Sequence, residues 1–120
     1  MALARLLTVA GGSSGAAGVA LSAAAAHAGG SNTATAASFL LMHAGAFLAV
    51  GLMRSRQPLR IAATVVVVGL ALFCGDLLMR DFAGIRLFPM AAPLGGSLMI
   101  LGWLAVAVAG AVSASQSRDG

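Results

Sequence analysis

The sequence predicts an all-α integral membrane protein, a four-helix bundle with short loops, on two grounds. Of the 120 residues, 60% are hydrophobic and only 8% are charged, whereas roughly a quarter of a soluble domain is charged. The apolar residues also form four continuous runs, each near the ~20 residues that a membrane-crossing helix needs. These properties exclude a soluble globular domain and a disordered chain. They also disfavour a β-barrel, whose strands alternate between apolar and polar residues.

The four runs define the spans of a single domain over residues 1–120. We place them at 6–26, 36–53, 59–79 and 94–112. The connecting loops are short, so neighbouring spans should pack antiparallel. Arg5 before the first run and Ala26-His27-Ala28 after it also fit a signal peptide. This run is longer than a signal core and is interrupted by glycine and serine, so we expect a retained helix.

The arginines predict the orientation, because cytoplasmic loops carry an excess of basic residues. The side that holds both termini and the second loop has five of them: Arg5, Arg54, Arg56, Arg60 and Arg118. The other side has Arg80 and Arg86. We therefore expect a multi-pass membrane protein with both termini cytoplasmic. The pI of 11.6 does not indicate a nucleic-acid partner, because the arginines form no patch interleaved with aromatic residues.

Small residues are expected to hold the helices together, because lipid is as apolar as leucine and close packing drives association instead. The first span contains the pair Gly11 and Gly15, and the fourth contains Gly102 and Gly110 eight residues apart. Pro58 is expected to help end the second span. Trp103, in the middle of the fourth span, is expected to be a packing residue.

Four ionisable side chains are the candidates for chemistry, because such groups are costly inside a membrane. His43 lies in the second span, Asp76 and Arg80 lie near the end of the third, and His27 closes the first. All four fall toward the outer face, with His43 about 10 Å deep and Asp76 about 5 Å deep. The sequence thus predicts one polar cluster in the outer half of the bilayer.

This cluster has several interpretations. Asp76 can pair with Arg80 one turn away along its helix, or accept a hydrogen bond from His43 across helices. Either contact lowers the cost of burying the carboxylate, and the hydrogen bond would lock the second span against the third. A proton or ion relay through His43 and Asp76 is the alternative, and it would require an oligomer. Haem ligation by His27 and His43 is disfavoured by their unequal depths. A zinc site needs three or four ligands, and these residues supply at most three, on separate helices. We predict no metal, no cofactor and no catalytic residue.

A resemblance to a known family rests on four segments of the chain. They are Ala25-Ala26-His27-Ala28, Phe39-Leu40-Leu41-Met42-His43-Ala44, Leu72-Phe73-Cys74-Gly75-Asp76-Leu77, and Arg86 to Gly96 followed by Leu101-Gly102-Trp103. With the four spans, this order resembles the bacterial membrane proteins called domain of unknown function 423, which are similar to eukaryotic transmembrane protein 256. The resemblance implies a four-helix inner-membrane protein and no activity. It marks a second candidate segment with Phe88, Pro89, Pro93, Gly95 and Gly96, expected to lead into the fourth helix beside the polar cluster.

The function predicted from the sequence is non-enzymatic. We expect a small membrane protein that has a structural, assembly or interaction role. Its expected partners are the lipid bilayer and either a homo-oligomer or a larger membrane complex. The alternative is a small oligomeric carrier or proton relay that uses His43 and Asp76.

Overall fold

A computed structural model describes the backbone of residues 2–119 and the side chains of residues 2–112. It contains the helices α1 (Ala2–Ala28), α2 (Ser31–Leu52), α3 (Gln57–Phe82) and α4 (Ala91–Asp119). Each is long and apolar enough to cross a membrane, which confirms the predicted all-α membrane fold. The Arg118 side chain and the ends of the predicted domain, residues 1 and 120, lie outside the described residues.

The second helix begins five residues before the predicted span. Gly29 and Gly30 separate it from α1, with φ angles of +81° and +103° that glycine adopts without a steric penalty. The polar residues after them, which the sequence placed in a loop, form the first turn of α2. This earlier start moves every residue of α2 deeper below the end of the helix.

Pro58 does not end the second span, contrary to the prediction. The helix α2 ends at Leu52, and Pro58 lies in the first turn of α3. Proline suits this position because the first N–H groups of a helix have no partner within it and the fixed φ of proline is already helical.

The helices form two antiparallel hairpins, α1 with α2 and α3 with α4, and they meet where α1 and α2 pack on α3. The core lies along these contacts and includes Leu7, Phe47 and Val66, each at most 2% exposed. Within the described residues, α4 approaches closely only α3, and the backbones of α2 and α4 do not come near each other. A cleft therefore separates α2 from α4.

Glycines set the close approach of α3 to α4. A Cβ atom added to Gly95 would lie 2.5 Å from the backbone nitrogen of Phe73 and 2.7 Å from the carbonyl oxygen of Gly69. A Cβ at Gly102 would lie 2.5 Å from Cγ2 of Val66. By contrast, Gly110, which we paired with Gly102, has nothing within 4 Å of such an atom among the described residues. Only Gly102 of that predicted pair lies in the contact.

The α1–α2 contact likewise uses half of the predicted glycine pair. A Cβ at Gly11 would lie 2.7 Å from Cγ of Leu48, whereas a Cβ at Gly15 would make only an ordinary contact of 3.8 Å with Cβ of Ala44. Gly18, whose added Cβ would lie 2.6 Å from Cγ of Leu41, takes the place that we expected for Gly15. A bulky substitution should therefore disturb this interface more at Gly11 or Gly18 than at Gly15.

Candidate functional site

The carboxylate of Asp76 is the most deeply buried charged group among the described side chains, with 0% of its surface exposed. Its Oδ1 atom accepts a hydrogen bond of 2.8 Å from the backbone N–H of Leu87. Its Oδ2 atom lies 2.7 Å from Nη2 of Arg80, in an ion pair that lacks the alignment of a hydrogen bond. The spacing of four residues on one helix brings the two charges together, as the sequence suggested. Asp76 therefore joins α3 to the loop that follows it.

That loop, residues 83–90, leads from α3 to α4 and contains two residues in the left-handed conformation. Gly84 and Met90 both have φ of +72°, which is uncommon for a residue other than glycine. Phe88 and Pro89 of the second candidate segment lie here and are exposed. Its other members lie in α4: Pro93 in the first turn, Gly95 against α3, and Gly96 beside the cleft. Asp76 holds this loop at Leu87, one residue before Phe88.

The imidazole of His43 lies at the cleft between α2 and α4, only 4% exposed. Its Nδ1 atom is 2.7 Å from the carbonyl oxygen of Phe39, and its Nε2 atom is 3.1 Å from Nε1 of Trp103. A carbonyl oxygen only accepts hydrogen bonds and an indole N–H only donates. Both contacts are satisfied when His43 is neutral and carries its proton on Nδ1. This hydrogen bond to Trp103, the His43–Trp103 bridge, links α2 to α4.

The structure does not bring the four predicted polar residues into one cluster. Asp76 pairs with Arg80 and Leu87, whereas His43 contacts Phe39 and Trp103. His43 lies twelve residues from the start of α2 and Asp76 six residues from the end of α3, so their depths are about 18 Å and about 9 Å. Both depths exceed the predicted ones, because α2 starts five residues earlier and α3 ends three residues later than predicted. His27 is exposed at the end of α1 and belongs to neither group.

Sequence reasoning missed a second carboxylate contact, at the edge of the bundle. Oδ2 of Asp81 accepts hydrogen bonds from the backbone N–H of Thr33 at 2.6 Å and from its hydroxyl at 2.7 Å. Oδ1 accepts one from Asn32 at 3.1 Å. The cap residue of α2, Gly30, has no side chain, so Asp81 satisfies the N-terminus of α2 from the end of α3. The polar run Ser31-Asn32-Thr33 was the available signal, but its partner lies 48 residues away.

We expect Asp81→Ala to lower the melting temperature of the detergent-solubilised protein, because the first N–H groups of α2 would lose their acceptor. Asp81→Asn, which retains one oxygen, should cost less. Thermal unfolding followed by circular dichroism measures both variants. Equal melting temperatures for wild type and Asp81→Ala would show that this cap does not contribute to stability.

The described residues offer little for metal or cofactor ligation. Among them, no group of three or more His, Cys, Asp or Glu side chains is close enough to hold a metal ion. The two histidines differ in setting, since His27 is exposed at a helix end and His43 is buried near mid-helix. The buried thiol of Cys74 contacts the carbonyl oxygen of Ala36 at 3.7 Å. What the arrangement can do chemically is to pair the charges of Asp76 and Arg80, hold the loop at Leu87 and join α2 to α4.

Comparisons with known proteins identify a family and relatives among curated proteins. The family described as "Protein of unknown function (DUF423)" matches residues 14–96. A UPF0382 membrane protein of Haemophilus influenzae is 30% identical over 75 residues, which cover 61% of this chain and 60% of that protein. The chain thus matches less than two thirds of that relative's length. No solved structure matches.

Proposed function

Since the chain belongs to the DUF423 family, we propose that this multi-pass membrane protein is a non-enzymatic assembly or interaction protein of the bacterial inner membrane. In this proposal both termini are cytoplasmic, nucleic acid is not a partner, and the protein acts in the bilayer with copies of itself or in a larger membrane complex. The excess of arginine on the side of the termini supports the orientation.

One observation carries the structural role. Asp76 holds the α3–α4 loop through the Leu87 N–H, His43 joins α2 to α4 through Trp103, and Arg80 pairs with the buried Asp76 charge on the same helix. Buried polar groups that are paired between elements in this way stabilise one arrangement of helices. A proton relay would instead need His43 and Asp76 to lie within reach of each other, whereas they have separate partners and their depths differ by about 9 Å.

The rival carrier can be tested directly. Purified protein is reconstituted into vesicles that enclose a pH-sensitive dye, and proton flux is followed across an imposed pH gradient. We expect no flux above that of empty vesicles for wild type or for Asp76→Asn. A flux in wild type that Asp76→Asn abolishes, with the fold retained, would overturn the proposal in favour of the carrier.

The assembly role is tested by native mass spectrometry of the protein extracted gently from its own membrane. A defined homo-oligomer or a complex with a larger membrane protein is the expected species. A monomer without bound protein would contradict the assembly role and leave the structural interpretation of the polar contacts unaffected.

The His43–Trp103 bridge makes a separate prediction. Trp103→Phe keeps the ring but removes the N–H donor, so Nε2 of His43 loses its partner at an expected cost of about 1 kcal/mol. His43→Phe leaves the indole N–H without its acceptor at a similar cost. If the two groups bond to each other, the double variant should cost less than the sum of the single variants. Additive losses in thermal unfolding would show that the bridge does not contribute to stability.

A further inference from the structure

The cleft between α2 and α4 contains a groove of about 390 Å³, and we propose that it binds one acyl chain of a phospholipid. This inference is independent of the assembly role. The groove is open on one side, and its exposed surface is almost entirely apolar. The residues that define it are Phe39 and His43 on α2, Phe73 on α3, and Gly96, Ile100 and Trp103 on α4.

The groove lies at the depth of lipid hydrocarbon. Gly96 is five residues and Trp103 twelve residues from the start of α4, so they lie about 8 Å and about 18 Å below that end of the helix. The hydrocarbon core of a bilayer is about 30 Å thick. The groove therefore runs along the helices through the leaflet on the side of the α3–α4 loop.

The groove has a floor and a closed inner end. Phe73 on α3 lies between the two walls, with its ring centre 4.9 Å from that of Phe39. At the deepest point, the His43–Trp103 bridge joins the walls. Beyond it, a small cavity of about 30 Å³ lies beside Trp103. An acyl chain that enters the groove from the end near the α3–α4 loop would thus meet the His43–Trp103 bridge.

The size and polarity of the groove favour an acyl chain over water or a helix. An apolar cavity does not hold water, which needs polar partners. Two turns of a helix 10–12 Å across would fill about 1,000 Å³, so a helix would not fit inside the groove and could only lay one face along it. A methylene group is similar in size to a water molecule, which takes about 30 Å³ of liquid. The groove therefore accommodates about a dozen methylene groups.

Gly96 keeps the groove open. A Cβ atom at this position would meet no described atom within 4 Å, although the adjacent Gly95 is in tight contact with α3. We therefore expect leucine at position 96 to occupy part of the groove, with a Cβ atom that clashes with no described residue. Gly110, also on α4 and equally unobstructed within the described residues, lies outside the groove and provides the matched control.

The test uses Trp103, the single tryptophan of the sequence. Phosphatidylglycerol brominated in the middle of one acyl chain is titrated into the full-length protein in detergent, and tryptophan fluorescence is recorded. We expect saturable quenching in wild type and in Gly110→Leu, and loss of the saturable phase in Gly96→Leu. Unbrominated phosphatidylglycerol should restore the wild-type fluorescence, a measurement that needs no variant to fold.

Three results would overturn the proposal. Quenching that grows in proportion to lipid in wild type, with no saturation and no competition, would mean that Trp103 meets only the general lipid surroundings. Saturable quenching that Gly96→Leu leaves unchanged, with its helical content intact, would place the lipid elsewhere. The third result combines two observations: wild type shows no saturable quenching, and it forms an oligomer that Gly96→Leu dissociates and Gly110→Leu does not. This result would mean that a second copy of the chain occupies the groove.

Discussion

Asp76→Ala is expected to destabilise the protein by about 3 kcal/mol, because removal of one partner from a buried ion pair leaves the other charge uncompensated. The substitution also leaves the Leu87 N–H without its acceptor. Arg80 is one-third exposed and can turn toward the membrane surface, which places the cost at the lower end of the range for such pairs. The melting temperature in detergent measures the loss.

The same substitution should release the loop before α4, and this effect separates a local role from general destabilisation. Leu87 follows Arg86, so the bond that trypsin would cut is next to the N–H that Asp76 holds. We expect faster cleavage after Arg86 in Asp76→Ala, with cleavage in the loop between α2 and α3 unchanged. Asp76→Asn retains an oxygen for Leu87 and should protect the bond better than Asp76→Ala. Equal cleavage in all three proteins would show that Asp76 does not hold the loop.

Gly95→Ala is the second substitution with a large expected effect, again about 3 kcal/mol, which is the upper part of the range for overpacking. Its Cβ would lie 2.5 Å from the backbone nitrogen of Phe73 and 3.0 Å from its Cα. Backbone atoms inside a helix cannot move locally, so α4 would have to separate from α3. Within the described part of the chain, α3 is the one helix whose backbone α4 approaches closely, so the whole of α4 should be affected.

The adjacent glycine provides the control. A Cβ at Gly96 meets open space among the described residues, so Gly96→Ala should be neutral or stabilising by up to about 1 kcal/mol through helix propensity. Thermal unfolding in the same detergent compares the two variants. Similar melting temperatures for Gly95→Ala and Gly96→Ala would contradict the close contact between α3 and α4.

Hydropathy was sufficient to predict the fold class and the four spans. Whether a segment crosses the membrane depends on its length and composition, which are properties of the segment alone. The contact of Asp76 with Arg80 could also be predicted from one segment alone, because residues four apart on a helix are neighbours on its surface. The start of α2 was harder to predict, because the Gly29-Gly30 break and the carboxylate of Asp81, which is distant in the sequence, determine it.

The partners across helices could not be deduced in the same way. His43 meets Trp103 sixty residues away, and Gly95 packs on α3 while its neighbour Gly96 faces the groove. A soluble helix carries an apolar stripe that shows which face is buried, but a helix that is apolar all round carries no such mark. The rotation of each helix about its axis therefore follows from how the small residues interlock, and only the tertiary structure shows which glycines pack and which side chains meet.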